Sequence, residues 1–149
     1  MRFVIQRVNN ASVEVDNKIT GEIEKGFLVL IGITTDDTEE IADMMIKKLL
    51  KLRIFDDANG KINLSINDVG GKLLLVSQFT LYANLTGGNR PDFLQAAKPE
   101  YANKLYEYIV EKCRDEGIEV QTGIFGADMK VSLLNDGPVT IIMDSKDLI

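Results

Sequence analysis

The sequence Phe27-Leu28-Val29-Leu30-Ile31-Gly32-Ile33 is a continuous apolar run without a charged or polar interruption. A run of this kind is typical of a strand that is buried on both faces. The preceding region alternates between apolar and polar residues over 3–8 and 11–15, and Asp16-Asn17 offers a turn before a strand at 19–23. The first third of the chain is therefore predicted to be a set of short strands.

Two stretches have the periodicity of amphipathic helices. The first follows acidic residues 36–40, and its apolar positions are Ile41, Met44, Met45, Leu49 and Leu52. The second extends from Pro99 to Gly117, with an apolar face formed by Ala102, Leu105, Tyr106, Ile109 and Cys113. Further strands are predicted at 72–82, 118–125, 129–134 and 139–143. Without a linker or an internal repeat, residues 1–149 are predicted to form a single, strand-rich α/β domain with two long helices.

Composition limits the possible classes of protein. The 149 residues are 45% hydrophobic and 27% charged, which is typical of a globular chain. No apolar run approaches the roughly 20 residues of a membrane span, and the N-terminus lacks a signal peptide pattern. A single cysteine, Cys113, cannot form an internal disulfide, so a cytoplasmic location is expected. The formal charge of −6 argues against an extended basic groove and a DNA partner, but permits contact with one end of an RNA.

The chain contains no histidine. This excludes Ser-His-Asp and Cys-His catalysis and metal sites with histidine ligands. One cysteine also excludes a zinc site built on several thiolates, so no metal is expected. Any catalysis must therefore proceed without the commonest general base.

Four basic residues lie at the end of the first predicted helix: Lys47, Lys48, Lys51 and Arg53. Cations near a helix C-terminus are favoured by the helix dipole, which predicts an ordinary solvated helix end. The same group could also meet phosphates. The solvated helix end is the favoured interpretation, with phosphate binding as the alternative.

A Gly-Pro pair lies between two apolar runs, in Asn135-Asp136-Gly137-Pro138-Val139-Thr140. Proline cannot donate a hydrogen bond within a sheet, so the hexapeptide predicts a tight, stiff turn, and bonds before proline are where cis peptides occur. Taken alone, it is typical of a hairpin turn.

Two other stretches are unusual. Ser77-Gln78-Phe79-Thr80 introduces polar side chains into an apolar strand, and alternation would place Gln78 and Thr80 on one face and Ser77 and Phe79 on the other. Taken alone, this pattern is typical of a half-solvated strand. Phe125-Gly126-Ala127-Asp128-Met129 contains small residues that permit close approach of another backbone.

Together these stretches resemble the D-aminoacyl-tRNA deacylase family, in one register from Met1 to about Asp144. The motifs that carry the resemblance are Gln6-Arg7-Val8, Ser77-Gln78-Phe79-Thr80-Leu81-Tyr82-Ala83, Asn89-Arg90-Pro91, Phe125-Gly126-Ala127-Asp128-Met129 and the hexapeptide from Asn135 to Thr140. The resemblance implies barrel-like mixed and antiparallel sheets and a homodimer with active sites at the interface. The Gly137–Pro138 bond is expected to be cis and to reach into the partner's pocket.

The resemblance also implies a substrate and a reaction. The substrate is the ester between a D-amino acid, or glycine, and the 3′-terminal ribose of tRNA, which is hydrolysed without a cofactor. Ser77, Gln78, Phe79 and Thr80 are the implied catalytic residues. Backbone amides around Phe79 and Thr80 would stabilise the oxyanion, with Thr80 orienting the substrate because no histidine could activate its hydroxyl. A general esterase with Thr80 as nucleophile and a non-catalytic dimeric module that binds nucleic acid or peptide remain alternatives.

Rejection of L-amino acids is assigned, by the same resemblance, to the backbone of Gly137 and Pro138. Arg7 is the best charged candidate for holding the partner's turn, with an ordinary surface arginine as the alternative. Other residues expected to shape the substrate site are Phe125, Ala127, Met129 and Asn135. The 84–90 loop has Gly87-Gly88 where a more basic run is common in the family, and the cations that could compensate in binding RNA phosphates are Lys47, Lys51 and Arg90.

Overall fold

A six-stranded mixed sheet is the frame of the protein. The computed structural model describes residues 1–149. In chain order its elements are β1 (Arg2–Val15), β2 (Lys18–Ile23), β3 (Gly26–Gly32), α1 (Glu39–Lys51), β4 (Phe55–Asp56), β5 (Ile62–Leu64), β6 (Lys72–Ser77), α2 (Pro99–Asp115), β7 (Val120–Thr122) and β8 (Lys130–Asp144). Short 3-10 helices occupy Phe79–Tyr82 and Ser145–Asp147. The predicted α/β class with two long helices is confirmed.

Strand β1 organises the sheet because it is long enough to pair with three neighbours. Its first half pairs antiparallel with β3 and its second half with β2, while β8 runs along its other edge. Strands β3, β6 and β7 continue the sheet in parallel. A small hairpin of β4 and β5 lies outside this sheet.

The sheet curls until β2 approaches β7. At Gly21 a Cβ atom would lie 2.3 Å from the carbonyl oxygen of Thr122, so only glycine permits this approach. The sheet is therefore nearly closed and barrel-like, as expected.

The curl explains why the apolar run of β3 is buried on both faces. Phe27, Val29 and Ile31 belong to a cluster of 27 buried residues that includes the helices' apolar faces. Leu28 belongs instead to a second cluster of 7, together with Leu74 of β6 and other strand residues. One face of β3 thus packs against the helices and the other faces the inside of the curled sheet.

The two helices follow their predicted patterns with one shift. Helix α1 begins after Thr38, whose side chain accepts a hydrogen bond from the Ile41 amide. Met45 and Leu49 are buried as predicted, but the rest of its buried face is Ala42, Ile46 and Leu50, while the predicted face residues Ile41, Met44 and Leu52 are half-buried. The predicted face of α2 is fully buried, and Gly117 follows that helix with a φ of 85°. Neither helix is long and apolar enough to cross a membrane.

The strand predicted at 72–82 is wrong beyond Ser77. Ser77 is the last residue of β6 to pair with β3, opposite Ile31, and the next residues turn into a 3-10 helix because β3 itself ends at Gly32. The predicted alternation of side chains over 77–80 is therefore also wrong. The strand predicted at 118–125 is shorter as well, because only Val120–Thr122 finds partners on β6.

The hairpin interpretation of the Gly-Pro turn is wrong, since the chain does not reverse there. Leu134 and Asn135 on one side pair with Asn10 and Val8, and Thr140 on the other side pairs with Gln6. Both flanks therefore belong to β8 and pair with the same strand, β1. Residues 136–139 form a loop that bulges out of a continuous strand.

Replacement of Gly26 by alanine is expected to destabilise this frame. A Cβ atom there would lie 1.8 Å from the carbonyl oxygen of Lys72, a backbone atom of the paired strand that cannot move aside without breaking the ladder. We expect a loss of about 3 kcal/mol in the free energy of unfolding, at the upper end of overpacking effects. Urea denaturation of Gly26→Ala measures this loss. The matched control is Gly87→Ala, where nothing lies within 4 Å of the new atom, and equal stability of the two variants would contradict the prediction.

Candidate active site

A cavity of about 620 Å³ opens beyond the carboxyl ends of β3 and β6. Ligands commonly bind at this edge of parallel strands, and the volume is that of a small-molecule site. Ile33, Ser77 and Gln78 line it where the strands end, and Lys98 and Pro99 line it at the beginning of α2. Twelve of its 18 lining residues are hydrophobic, so the site is mostly apolar with a few polar groups.

The fold brings most of the predicted site residues to this cavity. Those that line it are Ser77, Gln78, Phe79, Phe125, Ala127 and Met129. Thr80 is exposed just outside the lining, and its hydroxyl accepts a hydrogen bond from the Gln78 side-chain amide. The end of β6 and the loop after β7 thus form one site, although the strand predicted between Ser77 and Tyr82 does not exist.

The turn at Gln78 prepares hydrogen-bond donors beside the cavity. The backbone N–H of Gln78 donates to the carbonyl of Ile31 at 2.8 Å, which fixes the point where the chain leaves the sheet. Phe79 and Thr80 then begin the 3-10 helix, and the first N–H groups of a helix have no acceptor within it. These amides are suited to stabilise a developing negative charge.

Two phenyl rings stand together at the cavity. The rings of Phe79 and Phe93 meet edge to face, with centroids 5.0 Å apart, and Phe79 remains 55% exposed. A large exposed aromatic surface at a pocket is suited to contact a flat ligand group such as a nucleobase.

One wall of the cavity, formed by the segment before α2 and by the first residues of α2, was not predicted from the sequence. Its members are Phe93, Ala96, Ala97, Lys98, Pro99 and Ala102. The amide of Ala97 donates to the carbonyl of Ile33 at 2.9 Å, which ties this segment to the end of β3. Pro99 indicated where α2 begins, but no pattern in the sequence indicated that this end of the helix lies at the same cavity as Ser77.

Asn135 holds the base of the Gly-Pro loop. Its side-chain oxygen accepts from the Val139 amide at 2.8 Å, and its side-chain nitrogen donates to the Val139 carbonyl at 3.1 Å and to the Gln6 side chain at 2.9 Å. These hydrogen bonds join the two ends of the loop to each other and to β1. Gln6 is a loop-positioning residue that the candidate set from sequence did not include.

Arg7 holds the same loop from the other side. Its side chain is almost fully buried, and its Nε donates to the Asp136 carbonyl at 2.9 Å while Nη1 donates to the Ile54 carbonyl at 2.7 Å. The carboxylates of Asp56 and Asp136 lie 3.6 Å away. Arg7 is thus not a surface arginine. It holds the loop of its own chain, whereas the family resemblance suggested a contact with the loop of the partner.

The Gly137–Pro138 peptide bond is cis, and both residues are exposed. Neither residue lines the cavity of its own chain, and neither do Arg7 and Asn135. Within one chain the predicted site residues therefore form two separate groups, one at the cavity and one at the loop of β8.

The groups that could supply other chemistry lie elsewhere. Cys113 is buried in α2, and burial raises the pKa of its thiol to about 12, so it does not supply a thiolate nucleophile. Burial also raises the pKa of Tyr106, whose hydroxyl donates to the Leu75 carbonyl at 2.6 Å. No cluster of three or more cysteine, aspartate or glutamate side chains could hold a metal ion.

Comparison with known proteins assigns the chain to a family. The model of the D-Tyr-tRNA(Tyr) deacylase family matches residues 4–144. The chain is 57% identical to a D-aminoacyl-tRNA deacylase of Thermosipho melanesiensis, over 98% of both chains. It is 56% identical to that of Clostridioides difficile, over 97% of both chains, and 56% identical to that of Bacillus pumilus, over 99% of this chain and all of the other.

Solved structures show the same fold. A structure named c-Myc DNA Unwinding Element Binding Protein matches with a TM-score of 0.91 and 40% identity, over 97% of this chain and 98% of the other. A probable eukaryotic D-amino acid tRNA deacylase matches with a TM-score of 0.83 and 20% identity, over 95% of this chain and 97% of the other. The chain belongs to the D-Tyr-tRNA(Tyr) deacylase family and is a hydrolase, a D-aminoacyl-tRNA deacylase.

Proposed function

We propose that the cavity at the end of β6 is the site of deacylation, and that it accepts D-aminoacyl-tRNA and glycyl-tRNA while rejecting L-aminoacyl-tRNA. The observation that carries this proposal is the pair of helix-initial amides of Phe79 and Thr80 beside an apolar cavity. An ester carbonyl placed there would meet two fixed donors. Each donor of this kind is worth about 3–4 kcal/mol in the transition state.

Water is the nucleophile in this mechanism. An aminoacyl ester is already an activated acyl group, so stabilisation of the carbonyl oxygen is more important than a strong protein nucleophile. Attack of water on the carbonyl carbon forms an oxyanion that the Phe79 and Thr80 amides bind, assisted by the Gln78 side-chain amide. The bond to the ribose oxygen then breaks, one proton of the attacking water passes to the ribose oxygen, and the amino acid leaves as a carboxylate with the second proton released to solvent. The adjacent ribose hydroxyl would orient the water, which suits a chain without histidine.

The exposed Phe79 ring provides a place for the terminal nucleobase of the tRNA. Aromatic side chains bind unstacked bases by stacking, and such contacts contribute about 1–3 kcal/mol per base. The edge-to-face contact with Phe93 holds the Phe79 ring in position. The 3′ nucleoside would then lie at the cavity mouth with its ester directed toward Ser77.

The proposed chiral filter comes from a second subunit. Gly137 and Pro138 are exposed, are fastened through Arg7 and Asn135, and are absent from the cavity of their own chain. A loop that projects in this way is suited to enter the cavity of a partner. Its main-chain atoms would leave room for hydrogen where an L-side chain projects, so D-residues and glycine fit and L-residues collide.

The outer edge of β8 supports a homodimer. Strand β8 pairs with β1 on one side only, which leaves a 15-residue edge without a partner. Leu134 and Ile142 on this strand are 53% and 68% exposed. Long apolar edge strands are normally covered, and a second copy of the chain would cover this one. We also propose that the dimer acts in the cytoplasm, in keeping with a single buried cysteine and no disulfide.

Matched D- and L-tyrosyl-tRNA test this proposal. We expect rapid hydrolysis of the D-ester and of glycyl-tRNA, with the L-ester at the rate of spontaneous hydrolysis. Equal rates on the two enantiomers would contradict the chiral filter, and no activity on either would contradict the site. The family assignment favours catalysis over the non-catalytic binding module.

Replacement of Thr80 by valine separates the proposed mechanism from the esterase alternative. The hydroxyl lies outside the cavity lining and meets only the Gln78 side chain, so its loss is expected to reduce kcat/KM for D-tyrosyl-tRNA by about tenfold, comparable with the loss of one hydrogen bond. Loss of a covalent nucleophile would instead cost more than about a thousandfold. Mass spectrometry of the wild-type enzyme under turnover should detect no acyl group on Thr80, and an acyl-Thr80 adduct would favour the esterase.

A further inference from the structure

We propose that a basic surface at the end of α1, formed by Lys47, Lys48, Lys51 and Arg53, binds the phosphate backbone of the tRNA whose 3′ end lies in the partner subunit's cavity. This inference rests on the proposed function, because it uses the exchange of the Gly137 loop between subunits. It assigns a role to four cations that take no part in the chemistry.

This surface concentrates positive charge on an otherwise acidic chain. Asp43 and Glu116 line a second hollow that shares Lys47 and Lys51, but they form no ion pair with either lysine. The protein has 17 basic and 23 acidic residues, yet four cations lie between positions 47 and 53. None of the four is among the residues that form ion pairs within 4.0 Å. Arg53 is instead fixed by the carbonyl and side-chain oxygens of Asn63. The helix dipole favours Lys48 and Lys51 in the last turn of α1, but it does not account for Arg53 beyond the helix end.

The four cations surround a hollow of about 440 Å³. Its other lining residues are Met44, Leu52 and Leu148, which form an apolar floor. Phosphate oxygens attract the charged ends of lysine and arginine, while sugar faces can lie on apolar side chains. The cations and the apolar side chains together fit a phosphate–sugar backbone, and the nucleic-acid substrate of the family favours RNA over an acidic protein as the occupant.

One guanidinium group connects this surface to the Gly-Pro loop. Arg7 donates to the carbonyl of Ile54, the residue after Arg53, and also to the carbonyl of Asp136, the residue before Gly137. The end of α1 and the loop are therefore neighbours in one rigid arrangement. When the loop enters the partner's cavity, the residues that follow α1 accompany it, and the basic surface would then border the mouth of that cavity, on the path of the RNA strand that leads to the bound 3′ end.

Other cations near the cavity are few. Lys98 is the single lysine or arginine among the cavity-lining residues, and the 84–90 loop carries only Arg90 beside Gly87-Gly88. Contacts to phosphates normally supply most of the affinity of a protein for nucleic acid. In the proposed dimer, the α1 basic surface of the other subunit would supply those contacts.

The test compares the wild-type enzyme with the triple variant Lys47→Ala, Lys48→Ala, Lys51→Ala on two substrates, D-tyrosyl-tRNA and the nucleoside ester D-tyrosyl-adenosine. We expect KM for the tRNA to rise at least about tenfold with kcat little changed. The slope of log kcat/KM against log salt concentration should become shallower by about 2 to 3, because each lost phosphate contact removes about 0.7 to 0.9. Hydrolysis of the nucleoside ester, which has no acceptor stem, should not change.

The control is the double variant Lys18→Ala, Lys104→Ala, which removes exposed lysines outside this surface and should keep wild-type kinetics. A triple variant with wild-type KM and salt slope on tRNA overturns the inference, even if its melting temperature is lower, since the lysines would then stabilise α1 only. Binding of uncharged tRNA, measured by fluorescence anisotropy, gives a readout that does not depend on hydrolysis. If the wild-type enzyme hydrolyses neither substrate, the proposed function is wrong. The binding assay still tests the basic surface in that case: weaker tRNA binding by the triple variant supports the inference, and equal binding contradicts it.

Discussion

Replacement of Gly137 by alanine is expected to reduce kcat/KM for D-tyrosyl-tRNA by about a hundredfold or more while leaving the protein folded. Gly137 has a φ of 145°, a region that L-residues rarely adopt. A Cβ atom there would lie 2.8 Å from the Val139 amide nitrogen and 3.3 Å from Arg7 Nη2. The loop must therefore shift, and the main-chain atoms proposed to flank the substrate shift with it. A displacement of about 1 Å can cost a hundredfold in rate.

The free energy of unfolding is expected to fall by only about 1 kcal/mol in this variant, because the strain is confined to an exposed loop that lies outside the hydrophobic clusters. Circular dichroism and the melting temperature check this point. Selectivity is the second readout: a displaced loop should also raise the rate on L-tyrosyl-tRNA relative to the D-ester. Wild-type activity and selectivity in a folded Gly137→Ala protein would contradict the role proposed for the loop.

A subunit-mixing experiment determines whether the loop acts on its own chain or on the partner. Ala127→Trp is expected to block the cavity, which Ala127 lines, without touching the loop. Each variant alone should be inactive. A mixed dimer would combine the intact cavity of the Gly137→Ala subunit with the intact loop of the Ala127→Trp subunit, so activity should return on mixing and reannealing. No recovery from folded mixed dimers would contradict action between subunits.

Replacement of Arg7 by alanine is expected to lower both stability and activity. The side chain is 6% exposed and donates to two main-chain carbonyls, those of Asp136 and Ile54, which would lose a charged donor. Hydrogen bonds to charged groups contribute about 1.5–3 kcal/mol each, so we expect a loss of about 3 kcal/mol in the free energy of unfolding after relaxation. The loop also loses one of its two anchors, and kcat/KM for D-tyrosyl-tRNA should fall by about a hundredfold.

Arg7→Lys is the informative companion to that variant. Lysine keeps the charge but lacks the planar fork that reaches two carbonyls at once. It should therefore recover part of the stability and leave activity at least about tenfold below the wild type. Full activity in Arg7→Lys would show that charge alone, rather than the shared hydrogen bonds, positions the loop. Urea denaturation and steady-state kinetics measure the two effects separately.

Local sequence patterns correctly predicted the elements that depend on residues close together in the chain. The apolar run of β3 is buried on both faces, the turn at Asp16-Asn17 forms with positive φ at both residues, and α2 buries its predicted face up to Cys113. In each case the spacing of apolar residues or a turn preference acts over a few residues, so it is visible in the sequence. The absence of histidine from the sequence likewise excludes catalysis by a histidine base, whatever the fold.

Local patterns failed where the length of a distant partner decides the outcome. Ser77 to Tyr82 reads as a continuation of β6, but β3 ends at Gly32 and leaves no ladder for the later residues. The Gly-Pro hexapeptide is typical of a hairpin, but β1 is long enough to pair with the chain on both sides of it. The lengths of β3 and β1 cannot be predicted from the residues of the two segments whose structure they determine.

The sequence by itself determined the class of fold, the family motifs and a chemistry without histidine, because these depend on residue types and on short-range spacing. The tertiary structure decided that Ser77, Phe79 and Phe125 share one cavity and that the Gly137 loop does not reach the cavity of its own chain. It also decided that Arg7 joins this loop to the end of α1. These arrangements depend on pairings between residues far apart in the chain, where strand register and side-chain packing, rather than local preference, fix which groups meet.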